Sequence, residues 1–288
     1  MEISLTRNLG EKLIKQQRLL YINMSIIDVI KKRESVRTYT GEKLHPEHVL
    51  AIEDFISKHK APFGVNTRIN LISTEADEKA IKLGTYGFIS GASHYLTLVC
   101  DDAPFAEEGG AYLFEQLVLF CTELGLGTCW LGGSFSRKNF KKQLNLKSNE
   151  TLRIVSPVGY ESEKKRFFDS LLKPESRKIN PRKAFGSLFF NKNISTSLSE
   201  EAAGVYAQPL EMLRLAPSAN NAQPWRIIMD DGVFHFYRVP AMFSAIDIGI
   251  ALCHFEVTCK ELGINGKFET LNPSEIKSLL YVISWISE

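Results

Sequence analysis

The sequence predicts a mixed α+β fold in which two similar halves share one core. Helical and strand patterns alternate along the 288 residues, and the order helix, strand, strand, long helix occurs twice. Hydrophobic residues make up 44% and charged residues 24% of the chain, as in ordinary soluble domains. A repeat period of roughly 140 to 155 residues is too long for a solenoid array. We therefore expect an internal duplication with pseudo-two-fold symmetry.

Each element of the first half follows from apolar spacing and from helix-ending residues. A short helix starts near Ile26 and ends at the basic turn 31–37, and Pro46 stands in the first turn of a second helix. The long apolar helix stops at Gly125, a glycine C-cap. The remaining predicted elements are the end of the second helix near 60, strands 69–74 and 95–100, the long helix 109–124 and a strand at 152–159.

The second half repeats this order. Residues 200–215 predict a helix, 225–229 and 233–237 a hairpin across Asp230-Asp231-Gly232, and 246–262 a long helix that ends at Gly263. The repeat also shows in the letters, because Glu123-Leu124-Gly125 matches Glu261-Leu262-Gly263. We predict an N-terminal extension at 1–24 and a single domain at 25–288, built from repeats at about 25–187 and 188–288.

Charge and cysteine content exclude several classes of protein. Lys+Arg 35 against Asp+Glu 33 leaves a net charge of +2, so we expect neither nucleic acid nor an anionic membrane as a partner. The odd number of cysteines, 5, lies in apolar segments without metal-ligand spacing and predicts reduced, buried thiols. Because no signal peptide or membrane-spanning run is visible, we expect a soluble cytoplasmic protein. We interpret His94 and His254 as structural histidines.

Residues 33–37 form the first segment that could carry chemistry. In R-E-S-V-R, alternate positions of an extended turn send Arg33, Ser35 and Arg37 the same way. Guanidinium forks match phosphate oxygens, so this trio suits a phosphate group. The alternative is a solvated helix end with favourable positive charge.

Two further segments predict contact with a flat ligand. The turn 216–225 holds Ser218, Asn221 and Gln223 between two prolines and can bind the edge of a planar heterocycle, although Asn and Ser also simply close turns. In 125–133, glycines at both ends let a flat ligand approach the backbone. Helix capping explains Gly125 but not Gly132-Gly133.

Together these three segments resemble the flavin-dependent nitroreductase family. R-x-S-x-R, A-P-S-x-x-N-x-Q-P-W and G-L-G-T-C-W-x-G-G are each similar to FMN-binding motifs of that family, and the resemblance extends from about residue 25 to 268. It implies a mixed sheet flanked by helices and an obligate dimer with FMN at the subunit interface. It also implies NAD(P)H as hydride donor and nitroaromatics or quinones as acceptors.

The resemblance assigns FMN contacts residue by residue. Arg33 and Ser35 would hold the phosphate, Arg37 would lie near the pyrimidine edge of the flavin, and Arg182 with Lys183 resembles a late basic pair on the phosphate. The residues expected from the partner side are Pro217, Ser218 and Asn221. The residues expected along the isoalloxazine are Trp130, Leu131, Gly132 and Gly133.

Departures from the family pattern are complementary between the halves. In the first half, 61–68 stands where the amide-rich loop would be, and the loop has decayed there to A-P-F-G-V-N-T-R. In the second half, 188–191 lacks the arginines, and 263–266 replaces the Trp-bearing strand. We therefore predict that one chain folds as the whole dimer, a monomeric pseudo-dimer with a single FMN between its halves, similar to a divergent branch of the family.

The predicted activity is an FMN-dependent oxidoreductase that takes hydride from NAD(P)H and passes it to small oxidised acceptors. Flavin N5 would carry the hydride, so we expect no catalytic side chain, only electrostatic support from Arg37, and no metal. One alternative is a flavin-binding or storage protein without turnover. Another is different flavin chemistry on the same fold, such as reductive dehalogenation or dehydrogenation.

Overall fold

The computed structural model describes residues 24–73, 85, 87–163 and 182–288, which form two compact units. The first unit comprises Met1–Ala106 and Leu113–Asp169, and the second comprises Glu107–Tyr112 and Ser170–Glu288. Residues 1–23 of the predicted extension and most of the charged segment 161–183 lie outside the described residues.

The first unit contains a four-stranded antiparallel sheet. Its strand order is β1-β2-β4-β3, and all seven residues of the central strand β2 are buried, which explains its continuous apolar sequence. The predicted elements are confirmed to within a few residues. The strands are β1 (Thr67–Ser73), β2 (His94–Cys100), β3 (Gly127–Thr128) and β4 (Thr151–Gly159). The helices of this part of the chain are α1 (Ile26–Lys32), α2 (Pro46–Lys58), α3 (Ala106–Glu123) and α4 (Arg137–Lys141). Residues Glu107–Tyr112 of α3 belong to the second unit, and α4 was not predicted.

The second unit contains a five-stranded sheet of order β5-β6-β7-β9-β8, in which only β5 and β6 run parallel. The predicted hairpin is confirmed, with positive φ at Asp231 and Gly232 as a two-residue hairpin loop requires. The strands are β5 (Phe189–Asn191), β6 (Trp225–Asp230), β7 (Val233–Arg238), β8 (Gly266–Glu269) and β9 (Leu280–Ser287), and the helices are α5 (Glu200–Ala203), α6 (Ala207–Arg214) and α7 (Ser244–Glu261).

One helix prediction was wrong. Residues 200–215 are not a continuous helix, because Gly204 adopts φ +56° and ψ −127° and separates α5 from α6. Only glycine reaches this backbone region at low cost, so the helix ends there, and a short 3₁₀ turn, Gly204–Tyr206, leads into α6.

The internal duplication is confirmed by topology. The order β1-β2-β4-β3 in the first unit returns as β6-β7-β9-β8 in the second, with antiparallel pairing throughout. Each repeat places an 18-residue helix, α3 or α7, after its second strand. Each second strand also carries one irregularity of register, at Leu98/Val99 in β2 and at Phe236/Tyr237 in β7.

Both long helices end in the same hydrogen-bonded motif. After α3, Gly125 has φ +75° and the amide of Leu126 donates to the carbonyl of Cys121. After α7, Gly263 has φ +69° and the amide of Ile264 donates to the carbonyl of Cys259. This is the Schellman arrangement, which needs a glycine in the left-handed region. The two matching Glu-Leu-Gly sequences, 123–125 and 261–263, therefore occupy equivalent structural positions.

The cysteines are free and buried, as predicted, and take part in no disulfide. Burial raises the pKa of the Cys121 and Cys259 thiols to about 12, which makes both unreactive near neutral pH. Within the described part of the chain, no helix is both long and apolar enough to cross a membrane.

The cap of α1 yields a first prediction. The Ser25 side chain accepts a hydrogen bond from the amide of Asp28 at 3.1 Å. We expect Ser25→Ala to lower the free energy of unfolding by about 1 kcal/mol, because the amide loses its partner. Ser25→Thr keeps the acceptor and should behave like the wild type in urea unfolding followed by circular dichroism. Equal stability of all three proteins would contradict the assigned cap.

Candidate functional site

Two of the predicted motifs are hydrogen-bonded neighbours in the first unit. Residues 33–37 lie beside the glycine-rich segment: Ser35 forms a parallel bridge with Thr128, and the Val36 amide donates to the Thr128 carbonyl at 2.8 Å. Gly127 permits this approach, since an added Cβ would lie 2.7 Å from the Val36 side chain. The approach of the two segments therefore requires a glycine at 127, separately from Gly125, which caps α3.

Residues 33–37 carry polar groups that make no hydrogen bond among the described residues. Arg33 exposes only 9% of its side chain, and its Nε is buried without a hydrogen bond. The Ser35 hydroxyl and the Arg37 guanidinium also form no hydrogen bond within the part of the chain that the structure describes. A buried donor without a partner is costly, so this segment is suited to receive an anionic acceptor.

Glu115 connects the two motifs and was not foreseen from the sequence. It lies in α3 with none of its side chain exposed, and its Oε1 is 4.0 Å from Arg33 Nε. Its Oε2 accepts a hydrogen bond from Trp130 Nε1 at 2.8 Å. Phe114 holds the same indole edge-on, with ring centroids 4.9 Å apart. A glutamate on the buried side of an apolar helix was the available signal.

The segment after Trp130 leaves its backbone accessible. Leu131 pairs with Val155 through two backbone hydrogen bonds, of 2.9 and 3.1 Å. The amides of Gly132 and Gly133 donate to none of the described residues, and a Cβ added to Gly133 would meet nothing within 4 Å. These amides can therefore face the edge of a flat ligand.

Arg137 supports the same backbone and was missed from the sequence. Its guanidinium donates to the carbonyls of Gly132, at 2.9 Å, and of Leu152. The same guanidinium lies 5.1 Å from the ring centroid of Phe135. Desolvation and the nearby charge of Arg153 lower the Arg137 pKa. We interpret Arg137 as a support for the glycine backbone.

In the second unit, the loop 216–225 is fixed by its own hydrogen bonds. Ser218 Oγ accepts from the Gln223 amide at 2.9 Å. Gln223 is fully buried, and its side chain donates to the Asn221 carbonyl at 2.9 Å and accepts from the Lys183 amide at 2.7 Å. Asn220, Asn221 and Gln223 all have positive φ. Gln223 and Ser218 thus close the turn, as the simpler interpretation holds, and give the loop a defined shape.

The basic pair at 182–183 contacts this same loop. Arg182 donates to the carbonyls of Leu215, at 2.7 Å, and Ala216. Lys183 Nζ donates to the Ala222 carbonyl at 2.8 Å. Desolvation, and to a smaller extent the nearby charge of Arg226, lowers the pKa of Lys183. The pair therefore binds loop carbonyls here, and its predicted role on a phosphate stays a prediction.

Asp247 is a further residue that the sequence did not reveal. It lies in the first turn of α7 with 4% of its surface exposed, and its Oδ1 accepts a hydrogen bond from the Ala219 amide at 2.9 Å. Burial raises its pKa to about 7, although the Ala219 hydrogen bond opposes the shift. Asp247 thereby fixes the loop next to Pro217 and Ser218.

The segments that depart from the family motifs have other structural roles. Residues 189–191 of the predicted arginine position form β5, which pairs with β6, and Gly266 begins β8. In the first half, 61–66 is an irregular loop with positive φ at Phe63 and Gly64. The arginine motif and the glycine-rich strand therefore lie in the first unit, whereas the amide loop lies in the second.

Comparison with known proteins gives a family match over most of the chain. The family model described as "Putative TM nitroreductase" matches residues 25–259. A candidate nitroreductase from Thermotoga maritima is 21% identical with a TM-score of 0.58, and the match covers 91% of this chain and 94% of that chain. This similarity shows a common fold over nearly the whole length.

Two other solved structures match about half of the chain. A nitroreductase family protein of Clostridium novyi is 20% identical with a TM-score of 0.40, covering 50% of this chain and 90% of that chain. An FMN-dependent nitroreductase of Clostridium difficile is 22% identical with a TM-score of 0.40, covering 52% and 95%. Among curated proteins, none matches the sequence. Since the family model spans well over half of the residues, the chain belongs to this nitroreductase family.

Proposed function

We propose that the protein is an FMN-dependent oxidoreductase that takes hydride from NAD(P)H and passes it to small oxidised acceptors, such as nitroaromatics or quinones. The observation that carries the proposal is a set of donors at 33–37 that make no hydrogen bond among the described residues, including the buried Arg33 Nε, beside a backbone segment without Cβ atoms. Family membership supports the same conclusion.

The residues present fit FMN. A phosphate would supply the acceptor that Arg33 Nε and the Ser35 hydroxyl do not find among the described residues. Gly132 and Gly133 offer two backbone amides with open space beside Gly133, as a planar ring requires. When bound, FMN supplies hydride transfer, and the chain supplies binding, orientation and charge.

We further propose one FMN per chain. It would be held by Arg33, Ser35, Arg37 and residues 130–133, by Pro217, Ser218 and Asn221, and by the pair at 182–183 on the phosphate. Because each half retains the motifs that the other lacks, the chain would act as a monomer. We also propose that it is a cytoplasmic protein. Its free, buried cysteines are in keeping with a reducing compartment.

Arg37 would provide electrostatic support at the pyrimidine edge of the cofactor. A positive charge there stabilises the anionic reduced form, so we expect Arg37→Ala to lower the FMN midpoint potential by roughly 30 mV, about 1.4 kcal/mol for a two-electron couple. Lys32→Ala removes an exposed charge nearby and serves as the matched control. Spectroelectrochemical titration measures both variants. Identical potentials for both variants and the wild type would remove Arg37 from this role.

An anaerobic titration tests the function. The purified protein, loaded with FMN, is mixed with NADH or NADPH without oxygen, and its absorbance near the flavin maximum is followed. Bleaching, followed by recovery of the absorbance on addition of a quinone or a nitroaromatic compound, supports an oxidoreductase. If the flavin stays oxidised with both nucleotides, as a flavin store would, the proposed NAD(P)H-dependent activity is wrong.

A further inference from the structure

We propose that Glu115 is a positioning residue: it holds Arg33 and Trp130 in the orientations in which they bind FMN. The inference rests on the proposed function, because it takes FMN as the ligand of residues 33–37. It adds a residue that belongs to none of the three sequence motifs and that lies in the middle of α3.

The Glu115 carboxylate is buried on the apolar side of α3. None of the Glu115 side chain is exposed, whereas the neighbouring Phe114 and Leu117 show that α3 buries apolar residues at the same level. Removing a carboxylate from water costs several kcal/mol unless it is paired and hydrogen-bonded. A leucine or methionine would fill such a position without that cost. A specific interaction must therefore account for a glutamate here.

The two oxygens of the Glu115 carboxylate have different partners. Oε2 accepts the Trp130 indole hydrogen bond at 2.8 Å, which fixes the ring. Oε1 lies 4.0 Å from Arg33 Nε, which is an ion pair without a hydrogen bond. The charge of Glu115 thus holds the guanidinium in place, but the guanidinium keeps its N–H donors for another acceptor.

Two possible roles of the Glu115 carboxylate predict opposite changes in FMN affinity when the carboxylate is removed. If Glu115 only neutralised Arg33, its removal would tighten FMN binding, because an uncompensated guanidinium attracts phosphate more strongly. If Glu115 positions Arg33, its removal weakens FMN binding. The sign of the change therefore separates positioning from neutralisation.

The test uses Glu115→Gln, which keeps size and an acceptor for Trp130 but removes the charge. Dissociation constants of FMN and of riboflavin, which lacks the phosphate, are measured by quenching of flavin fluorescence. We expect FMN binding to weaken about tenfold and the preference for FMN over riboflavin to fall by the same factor. Trp130→Phe removes the indole donor but not the charge, and should change the binding of both flavins equally.

Each outcome decides the inference. Unchanged or tighter FMN binding by Glu115→Gln, with wild-type FMN binding intact, overturns the positioning role and leaves the proposed function standing. If the wild type does not bind FMN, the proposed function falls and the inference with it. Should Glu115→Gln fail to fold, Glu115→Asp is used instead, because its side chain is one methylene shorter and places the carboxylate further from Arg33. The same loss of preference for FMN is then expected, and an unchanged preference overturns the inference.

Discussion

Replacing Arg33 by alanine is expected to weaken FMN binding by about 100-fold, or about 2.7 kcal/mol. The variant loses a nine-tenths buried guanidinium whose Nε makes no hydrogen bond among the described residues, and with it the donors that we assign to the phosphate. The measurement is the FMN dissociation constant from fluorescence quenching.

Two controls separate the lost donors from a damaged fold. Arg33→Ala also leaves the buried Glu115 without its counter-charge, which lowers stability. Arg33→Lys restores that charge but not the guanidinium fork, so we expect an intermediate loss of about tenfold. Lys32→Ala removes an exposed charge next to Arg33 and should bind FMN as the wild type does. Wild-type affinity in a folded Arg33→Ala protein would refute the phosphate assignment.

Replacing Asp247 by asparagine is expected to stabilise the protein at alkaline pH and to have little effect in acid. The Asp247 pKa rises from 3.8 to about 7 on burial, so between these values the folded state keeps a proton that the unfolded state has lost. Stability then falls as pH rises from about 4 to 7, by at most about 4 kcal/mol, and stays lower above pH 7. Asparagine keeps an acceptor for the Ala219 amide without the charge.

Thermal unfolding at pH 4.5 and pH 8 measures this difference. We expect the midpoint of Asp247→Asn to exceed that of the wild type by several degrees at pH 8 and to lie close to it at pH 4.5. Asp247→Ala loses the acceptor as well, and should fall below Asp247→Asn at both values. A gain of equal size at both pH values would show that the carboxylate does not titrate in this range.

Much of the fold could be predicted because it depends on local signals. The 3.6-residue period, Pro46 and the glycines at 125 and 263 fix where helices begin and end, and the turn Asp231-Gly232 fixes a hairpin register. The repeat was visible for the same reason, since each half carries the same signals in the same order. Gly204 escaped notice because one glycine in a helical pattern is usually tolerated.

The sequence also located the segments of the candidate site but not their supports. Residues 33–37 and 125–133 were singled out by their composition, and they are hydrogen-bonded neighbours. Glu115 and Asp247 act through residues distant in sequence, in helices whose periodicity predicts only packing. The same holds for Arg137, which is one of many surface cations in the sequence and whose partners are backbone carbonyls.

The duplicated topology gives the asymmetry of the motifs a physical meaning. Two similar sheets and two similarly capped long helices show that one ancestral element order is present twice. Among the described residues, the arginines of 33–37 and the open glycine backbone lie in the first unit, and the self-bonded loop 216–225 lies in the second. This asymmetry is the reason for our proposal that each chain holds a single FMN rather than two.

The absorption spectrum of the purified protein, calibrated against its concentration, tests this claim most directly. After saturation with FMN and removal of the excess, the account predicts one flavin for each 288-residue chain. Two flavins per chain, or none, would contradict it.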